Sequence, residues 1–409
     1  MTGPGSDQNV VVTGVGLVSA AGIGVDATWK GVLAGQSTAR THPDLAGLAV
    51  DFACEVPGFD PAAHLGANLA RRMDRHSQLA FVAGDEALRM AGLRPQEWDG
   101  TRVGVVIGTA FGGVTTLEDQ TLRLARGEPV SAHTVPMVAP NMLAGQLSLH
   151  WGARGPSFVA CTACASGTTA IGLGAQLLRT GVCDIVVAGG SDAPVNRIIT
   201  ASFARMSALS PRRAAPELAS RPFDAARDGF VLGEGAGVLV LERDGQAAAR
   251  GARPLARIAG YGASADAHHV AAPHPQGSGL EQAMRAALAE AGATVADVDH
   301  VNAHATSTPK GDLVEAGLLA RLFGDRASVT STKGALGHTM GAAGAIEAAL
   351  TVLAVTERTV PPTANLEHLD PRIELDVVSG AARPQPIALA LSNSSGFGGQ
   401  NAVLALSPC

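Results

Sequence analysis

Short unbroken apolar runs alternate along the chain with longer stretches in which apolar residues recur every three or four positions. Residues 10–13 (VVVT) read as a buried strand leading into the glycine-rich GVGLVSAAG, because a strand covered on both faces needs no polar alternation. Residues 25–34 and 77–92 have helical spacing, and 102–110 (RVGVVIGTA) reads as strand then turn. The spacing predicts a helix over 141–152, the short strand SFVAC, and a helix of small residues that ends at Gly181. CDIVVAGGSD and GAGVLVLER (235–243) continue the strand series.

The pattern then restarts. Residues 252–264 read as strand then turn, 278–291 as helix, HVNAHATSTPKGD as strand then loop, and 312–323 and 343–357 as helices. The end of the chain, ALALSNSSGFGGQNAVLALS, gives two strands around a glycine turn. Repeated strand–helix units predict an α/β protein with helices covering its sheets, divided into two similar halves at 1–250 and 251–409. Residues 208–230 are expected to form a long surface excursion of the kind that lines a site.

Composition narrows the function classes. A hydrophobic fraction of 46% over 409 residues supplies a large core and excludes disorder. Net charge is −6, with no basic tail, so nucleic acid is not an expected partner. Arg71, Arg72 and Arg75 read as a solvated helix face. The first basic residue is Lys30, which leaves no charged leader, and no apolar run reads as a membrane span. Five scattered cysteines make no disulfide framework. The chain reads as a reduced, cytoplasmic protein.

Two of those cysteines, Cys161 and Cys164, stand in C-x-x-C spacing within FVACTACASG. A redox pair begins at a helix start, whereas Cys161 is expected inside the strand and buried. A metal reading is weak, because no second cysteine pair exists. Cys164 falls at a strand–helix junction, where free N–H groups and the helix dipole lower a thiol pKa. Its small neighbours permit a sharp elbow. On this ground alone, a nucleophile and an ordinary buried small residue both stay open.

Two further segments add chemistry. NAHATSTPKGD carries His304 in a loop with Thr306 and Thr308, and TSTKGALGHTMGAAGAIE carries Lys333, His338 and Glu347. Acyl transfer to a thiol needs donors for the developing oxyanion and a cation to organise carboxylate chemistry. GVGLVS lacks the full G-x-G-x-x-G run, so no nucleotide cofactor is expected.

Together, TACASG, RPFDAARDGFVLGEGAG, NAHATSTPKGD, TKGALGHTMGAAGAIE and NSSGFGGQNA resemble the β-ketoacyl-acyl-carrier-protein synthases. The likeness is to the elongating class of the thiolase superfamily, shared by fatty-acid and type II polyketide synthases. It implies a thiolase-like layered α-β-α-β-α fold made of two similar halves. It also implies decarboxylative Claisen condensation of a Cys164-bound acyl chain with malonyl-acyl-carrier-protein. His304 and His338 resemble the catalytic pair, Lys333 and Glu347 its supporting network, and the N–H groups of Cys164 and Phe397 the oxyanion hole. Phe397 also resembles the mobile gate, and Thr306 and Thr308 the ligands of the phosphopantetheine arm. Phe111 stands where the family has the floor of the acyl pocket, which it would shorten.

The resemblance implies neither cofactor nor metal, since the substrates ride on acyl carrier protein. It implies a homodimer, or a heterodimer with a chain-length-factor homologue. The variants HATSTPKGD and GTAFGG favour a ketosynthase subunit of a bacterial type II polyketide synthase. A housekeeping fatty-acid enzyme is the alternative. A non-catalytic chain-length partner is disfavoured by the presence of Cys164. Ala305 replaces the family's glycine after the first histidine, which could displace His304, and Lys310 occupies a variable position. Arg205, Arg212 and Arg213 could meet an acidic carrier protein, while His268 and His269 border the entrance without a chemical role.

Overall fold

The computed structural model describes residues 9–409. Residues 1–8, on which the reading of a leaderless start rests in part, lie outside the described residues. Ten strands carry the architecture: β1 Val10–Ser19, β2 Val103–Gly108, β3 Ser157–Ala160, β4 Ile185–Asp192, β5 Gly235–Arg243, β6 Ala256–Ala265, β7 His300–Asn302, β8 Ser328–Thr330, β9 Ala390–Gly396 and β10 Gln400–Ser407. Their hydrogen-bonded order is β8-β7-β9-β10-β6-β1-β5-β4-β2-β3, with short strand Asp376–Val377 beyond β8. Each set of five therefore has the same internal order, third-second-fourth-fifth-first. The sets join where Val10–Val12 of β1 pair antiparallel with Ile258–Ala256 of β6.

Helices fill the layers between and outside these sets. Helix α1 (Arg75–Met90) packs on β1, β5 and β4, and α3 (Ser278–Glu290) packs on β6, β10 and β9. Between the two sets lie α2 (Ser166–Arg179) and α5 (Ala343–Glu357), which touch each other and strands of both sets. The result is an α-β-α-β-α stack, the layering the resemblance implies. Helix α4 (Pro309–Phe323) follows β7.

The strand expected over 10–13 continues through the glycines after VVVT. Strand β1 runs ten residues to Ser19, buried throughout. A methyl at Gly14 or Gly16 would lie 2.0 or 1.8 Å from the carbonyl oxygens of Ala87 and Ala83 on α1. The other half repeats the device: Gly260 and Gly262 of β6 face Ala287 and Ala283 of α3, each at 2.0 Å from the carbonyl oxygen. Glycine is thus required for helix–strand approach, and the G-x-G spacing has a packing cause.

Two other expectations change. The excursion at 208–230 is only partly at the surface, for Ser220, Arg221, Phe223 and Asp224 are buried. Arg221 pairs with Asp224 at 2.9 Å and Arg227 with Asp370 at 2.8 Å, so their charges are satisfied inside. Second, Met340–Glu357 is long and apolar enough to cross a membrane, contrary to the reading that no run reaches that length, yet 83% of it is buried within the protein. Its apolarity serves α5 in the middle layer, where little beyond its last turn meets water.

Gly16→Ala should destabilise the fold by about 3 kcal/mol through overpacking. Gly317→Ala, inside α4 with no atom within 4 Å of the added methyl, should instead stabilise it by about 0.5–1 kcal/mol. Urea unfolding of both variants checks the pair. Equal and small effects would remove the close-approach explanation.

Candidate active site

Strand β3 ends at Ala160 and α2 begins at Ser166, leaving a five-residue turn. Ala163 there has φ 51°, a left-handed conformation that non-glycine residues seldom adopt. Ser166 holds the turn: its hydroxyl accepts from the Thr162 N–H at 2.9 Å and donates to the Ala163 carbonyl at 2.6 Å. The elbow presents Cys164, half-buried, to a cavity of ≈ 370 Å³. Cys161, expected to be buried, is exposed. The reason is that β3 is the edge strand of the sheet, with Ser157 and Phe158 also exposed. The two cysteines of the C-x-x-C spacing therefore have different surroundings.

Opposite Cys164, loops of the other half deliver two histidines. One ligand-type atom from each of Cys164, His304 and His338 falls within 4.8 Å of the others. The two imidazoles meet edge to face, 5.3 Å between centroids at 82°. His304 is held through its backbone, whose N–H donates to Glu315 at 2.9 Å, while the Ala305 N–H donates to the other oxygen at 2.8 Å. Asn393 also donates to Glu315, at 3.1 Å. One turn earlier on α4, Asp312 accepts from the N–H groups of Ser307 and Thr308, each at 3.2 Å. The Thr306 and Thr308 hydroxyls, 3.1 Å apart, both line the cavity. Ala305 is buried with φ outside the left-handed region; its methyl imposes no backbone strain on His304.

His338 is fixed by strand-like bonds: its N–H donates to Val231 at 2.7 Å and its carbonyl accepts from Gly233 at 2.9 Å. Phe230 packs edge-on against its ring at 5.4 Å. Arg75 holds the neighbouring Glu234 with two bonds of 2.6 and 2.7 Å. Arg75 thus leaves the solvated face expected for it, whereas Arg71 and Arg72 are exposed. Lys333 is buried and its ammonium pairs with Glu347.

Phe397 closes the remaining wall. A methyl on Gly396 would sit 2.9 Å from the Cys164 nitrogen, so glycine lets this loop lie against the elbow. The Phe397 ring, 38% exposed, leans on Phe203 at 6.1 Å, and Phe203 meets Phe111 edge-to-face at 6.2 Å. Phe111, Thr306, Thr308, His269 and Lys310 all line the cavity. The Gly398 N–H donates to Val270 at 2.8 Å, and Asn401 donates to Asp266 at 2.7 Å, tying the Phe397 loop to the segment carrying His268 and His269. Arg212 and Arg213 are occupied by Asp228 and Asp51, at 3.1 and 2.5 Å. Arg205 stays exposed and outside any ion pair among the described residues.

The electrostatics overturn one expectation. Burial pushes the Cys164 thiol up to about 11, against the opposing pull of the Lys333 charge and the Phe397 N–H. The helix start does not give it a low pKa. Burial, and then Lys333, hold both imidazoles well below their usual range, so they are neutral at pH 7. Burial pushes the Glu347 carboxyl up, against the pull of Lys333.

Sequence reasoning missed three acidic residues. Glu315 and Asp312 orient the His304 loop, and Asp192 accepts from Ala110 at 2.8 Å and Gly341 at 2.7 Å, joining the Phe111 loop to the start of α5. Asp312 and Glu315 do carry a signal, two acids spaced i,i+3 on a helix with otherwise apolar neighbours.

The profile described as beta-ketoacyl synthase, N-terminal domain, matches residues 7–247, and that of the C-terminal domain matches 255–367. The chain is 42% identical over 405 residues to 3-oxoacyl-[acyl-carrier-protein] synthase 2 of Staphylococcus aureus (strain COL), covering 97% of this chain and 98% of that one. Among solved structures, the ishigamide ketosynthase/chain length factor superposes with a TM-score of 0.91 at 35% identity, covering 98% of this chain and 99% of that one. A type II polyketide acyl-carrier protein in complex with its ketosynthase bound to the hexaketide gives 0.91 at 30% identity, with 98% and 99% covered.

With the thiol raised and Lys333 opposing that rise, alkylation of Cys164 by iodoacetamide should keep accelerating above pH 8.5. Lys333→Ala should slow it at fixed pH, because removing the cation raises the thiol further, at about tenfold per pKa unit. Site-resolved mass spectrometry separates Cys164 from exposed Cys161. A rate that levels off near pH 7 would mean that the helix-end N–H groups outweigh burial.

Proposed function

The chain belongs to the beta-ketoacyl synthase family, and on that premise we propose how its residues divide the work and in which pathway it acts. It is an acyltransferase that forms a carbon–carbon bond, condensing an enzyme-bound acyl chain with malonyl-acyl-carrier-protein to 3-oxoacyl-acyl-carrier-protein. The observation that carries the division of labour is the convergence of Cys164, His304 and His338 within 4.8 Å in one cavity.

In the first half-reaction the Cys164 sulfur attacks the acyl thioester. The oxyanion is held by the N–H groups of Cys164 and Phe397, and the pantetheine thiol leaves with the proton. A raised thiol pKa requires that the proton be taken as the bond forms, and a neutral imidazole is a competent acceptor. In the second, malonyl thioester loses carbon dioxide and the electron pair passes into an enolate. Neutral imidazoles stabilise its oxygen as N–H donors, which needs no imidazolium. The enolate carbon then attacks acyl-Cys164, and collapse of that tetrahedral intermediate releases the 3-oxoacyl product and expels the Cys164 thiolate, which takes up a proton from solvent. Lys333, paired with Glu347, supplies a fixed positive field. Thr306 and Thr308 hold the pantetheine arm, and Phe397 swings between the two half-reactions on its flanking glycines. No cofactor or metal is required by this sequence of steps.

We assign the chain to a bacterial type II polyketide synthase as its ketosynthase subunit, in the cytoplasm. Likeness to the ishigamide ketosynthase/chain length factor supports this. The 42% identity to 3-oxoacyl-acyl-carrier-protein synthase 2 favours the second reading, a fatty-acid enzyme. Both readings need a dimer partner, and the chain offers a face for one: edge strand β3 is followed by exposed Cys161, and Val135 and Leu149 are 76% and 81% exposed. An unpaired edge beside apolar side chains favours pairing with a second subunit.

Intact-mass analysis after incubation with acyl-carrier-proteins of graded chain length tests the reaction. We expect an acyl adduct that Cys164→Ala abolishes, then a product two carbons longer once malonyl-carrier-protein is added. Condensation only in the presence of a chain-length-factor homologue places the chain in a polyketide system; condensation alone places it in fatty-acid synthesis. No adduct under any pairing would overturn the enzymatic reading. Phe111→Ala should open the acyl pocket and shift the preferred adduct to longer chains, at on the order of tenfold per two methylene groups buried. An unchanged chain preference would remove Phe111 from the pocket floor.

A further inference from the structure

The Cys164–His304–His338 cluster has a second chemistry. One sulfur and two imidazole nitrogens are the donor set that Zn²⁺ takes in tetrahedral sites, with bonds of about 2.3 Å to sulfur and about 2.0 Å to nitrogen. Such bonds place the donors roughly 3.5 Å apart. The three here lie within 4.8 Å of one another, so closure by about 1 Å, within reach of small side-chain rotations, completes three-coordinate contact. The buried Nδ1 atoms of His304 and His338 have no hydrogen-bond partner among the described residues. Neither ring therefore gives up a carboxylate contact by turning toward a metal.

Access and charge also fit. The three residues line an open cavity of ≈ 370 Å³, which leaves a fourth position for water. The nearest fixed cation, Lys333, is paired with Glu347, which offsets part of its charge, and Glu315 stands directly behind the His304 backbone. Cys161 takes no part, for it is exposed and does not line the cavity.

We propose that Zn²⁺ binds Cys164, His304 and His338 as a reversible inhibitor, forming a sulfur–zinc bond and releasing the thiol proton to solvent. The metal is no cofactor, because it draws density from the sulfur and takes the space in the cavity that a thioester must enter to be attacked. Zinc and any covalent occupant of Cys164 therefore exclude each other.

The test uses the full chain and Zn²⁺ alone, titrated at pH 7.5 against a chromophoric chelator, with alkylation followed residue by residue. We expect one equivalent bound, lost when Cys164 has first been alkylated, and weakened at least tenfold in His304→Ala or His338→Ala. Zinc should slow iodoacetamide modification of wild-type Cys164 at least tenfold, leave Cys161 unaffected, and be reversed by a chelator. This arm needs no variant to fold. Zinc binding that survives alkylation of Cys164, or that is lost instead on substitution of half-buried His274, whose ring lies 5.2 Å from exposed His268, overturns the proposal, as does the absence of binding. Acyl-adduct formation in chelated buffer is scored separately, so failure of the zinc site leaves the condensation reading standing, and the reverse.

Discussion

The geometry of this site depends on how closely the starts of α2 and α5 approach. A methyl on Gly167 would fall 2.7 Å from the Ala345 nitrogen, and one on Gly344 would fall 2.0 Å from the Thr168 hydroxyl. A methyl on Gly341 would fall 2.5 Å from the Ala110 nitrogen. No side chain fits at these three glycine positions in the seam, so the two helix starts approach closely. Cys164 precedes one helix and His338 precedes the other, and their separation is set by rigid main chain. That is the condition for holding reacting groups at useful distances. Asp192 locks the seam from beneath, taking N–H groups from both the Phe111 loop and Gly341.

Within that frame one buried cation acts on three groups at once. Lys333 lowers the thiol and lowers both imidazoles. For the thiol this makes the charged form less costly, and for the histidines it makes the charged form more costly. The same charge thus favours a thiolate nucleophile facing neutral N–H donors. A salt link to Glu347 keeps the ammonium in place where a lone buried charge would be expelled or neutralised. Burial remains the larger influence on every one of these groups, which is why the thiol stays high despite its helix start.

Alternating apolar runs made most elements legible, since a buried strand and an amphipathic helix differ in period. What could not be read depended on distant partners. Gly14 and Gly16 look like the end of the strand until the Ala87 and Ala83 carbonyls are placed over them. Arg227 looks solvated until Asp370 arrives from 143 residues away. Cys161 follows an apolar strand, and nothing local says that this strand is the last in its sheet. Cys164, His304, Lys333 and His338 were legible because their short motifs occur together. Glu315 and Asp312 were not read, because their i,i+3 spacing on an otherwise apolar helix says that acids are buried there but not that they accept backbone N–H groups of the His304 loop.

The repeated plan explains how the donors come to face the thiol. In both halves the loops after the second and third strands of the set lie side by side at one end of the strands. In the first half these loops carry Phe111 after β2 and Cys164 after β3; in the second they carry His304 after β7 and Lys333 after β8. Loops of a single half point the same way, and could line a pocket but not oppose one another across it. Packing two copies of the plan on a shared middle layer turns the second pair of loops to meet the first. One copy could then specialise in an elbow and an apolar wall, and the other in imidazoles and a fixed charge. The paired glycines at β1 and β6, with their matching alanines on α1 and α3, preserve the common plan in the outer layers. The divergence is confined to the loops, where substitution does not disturb the packing that aligns them.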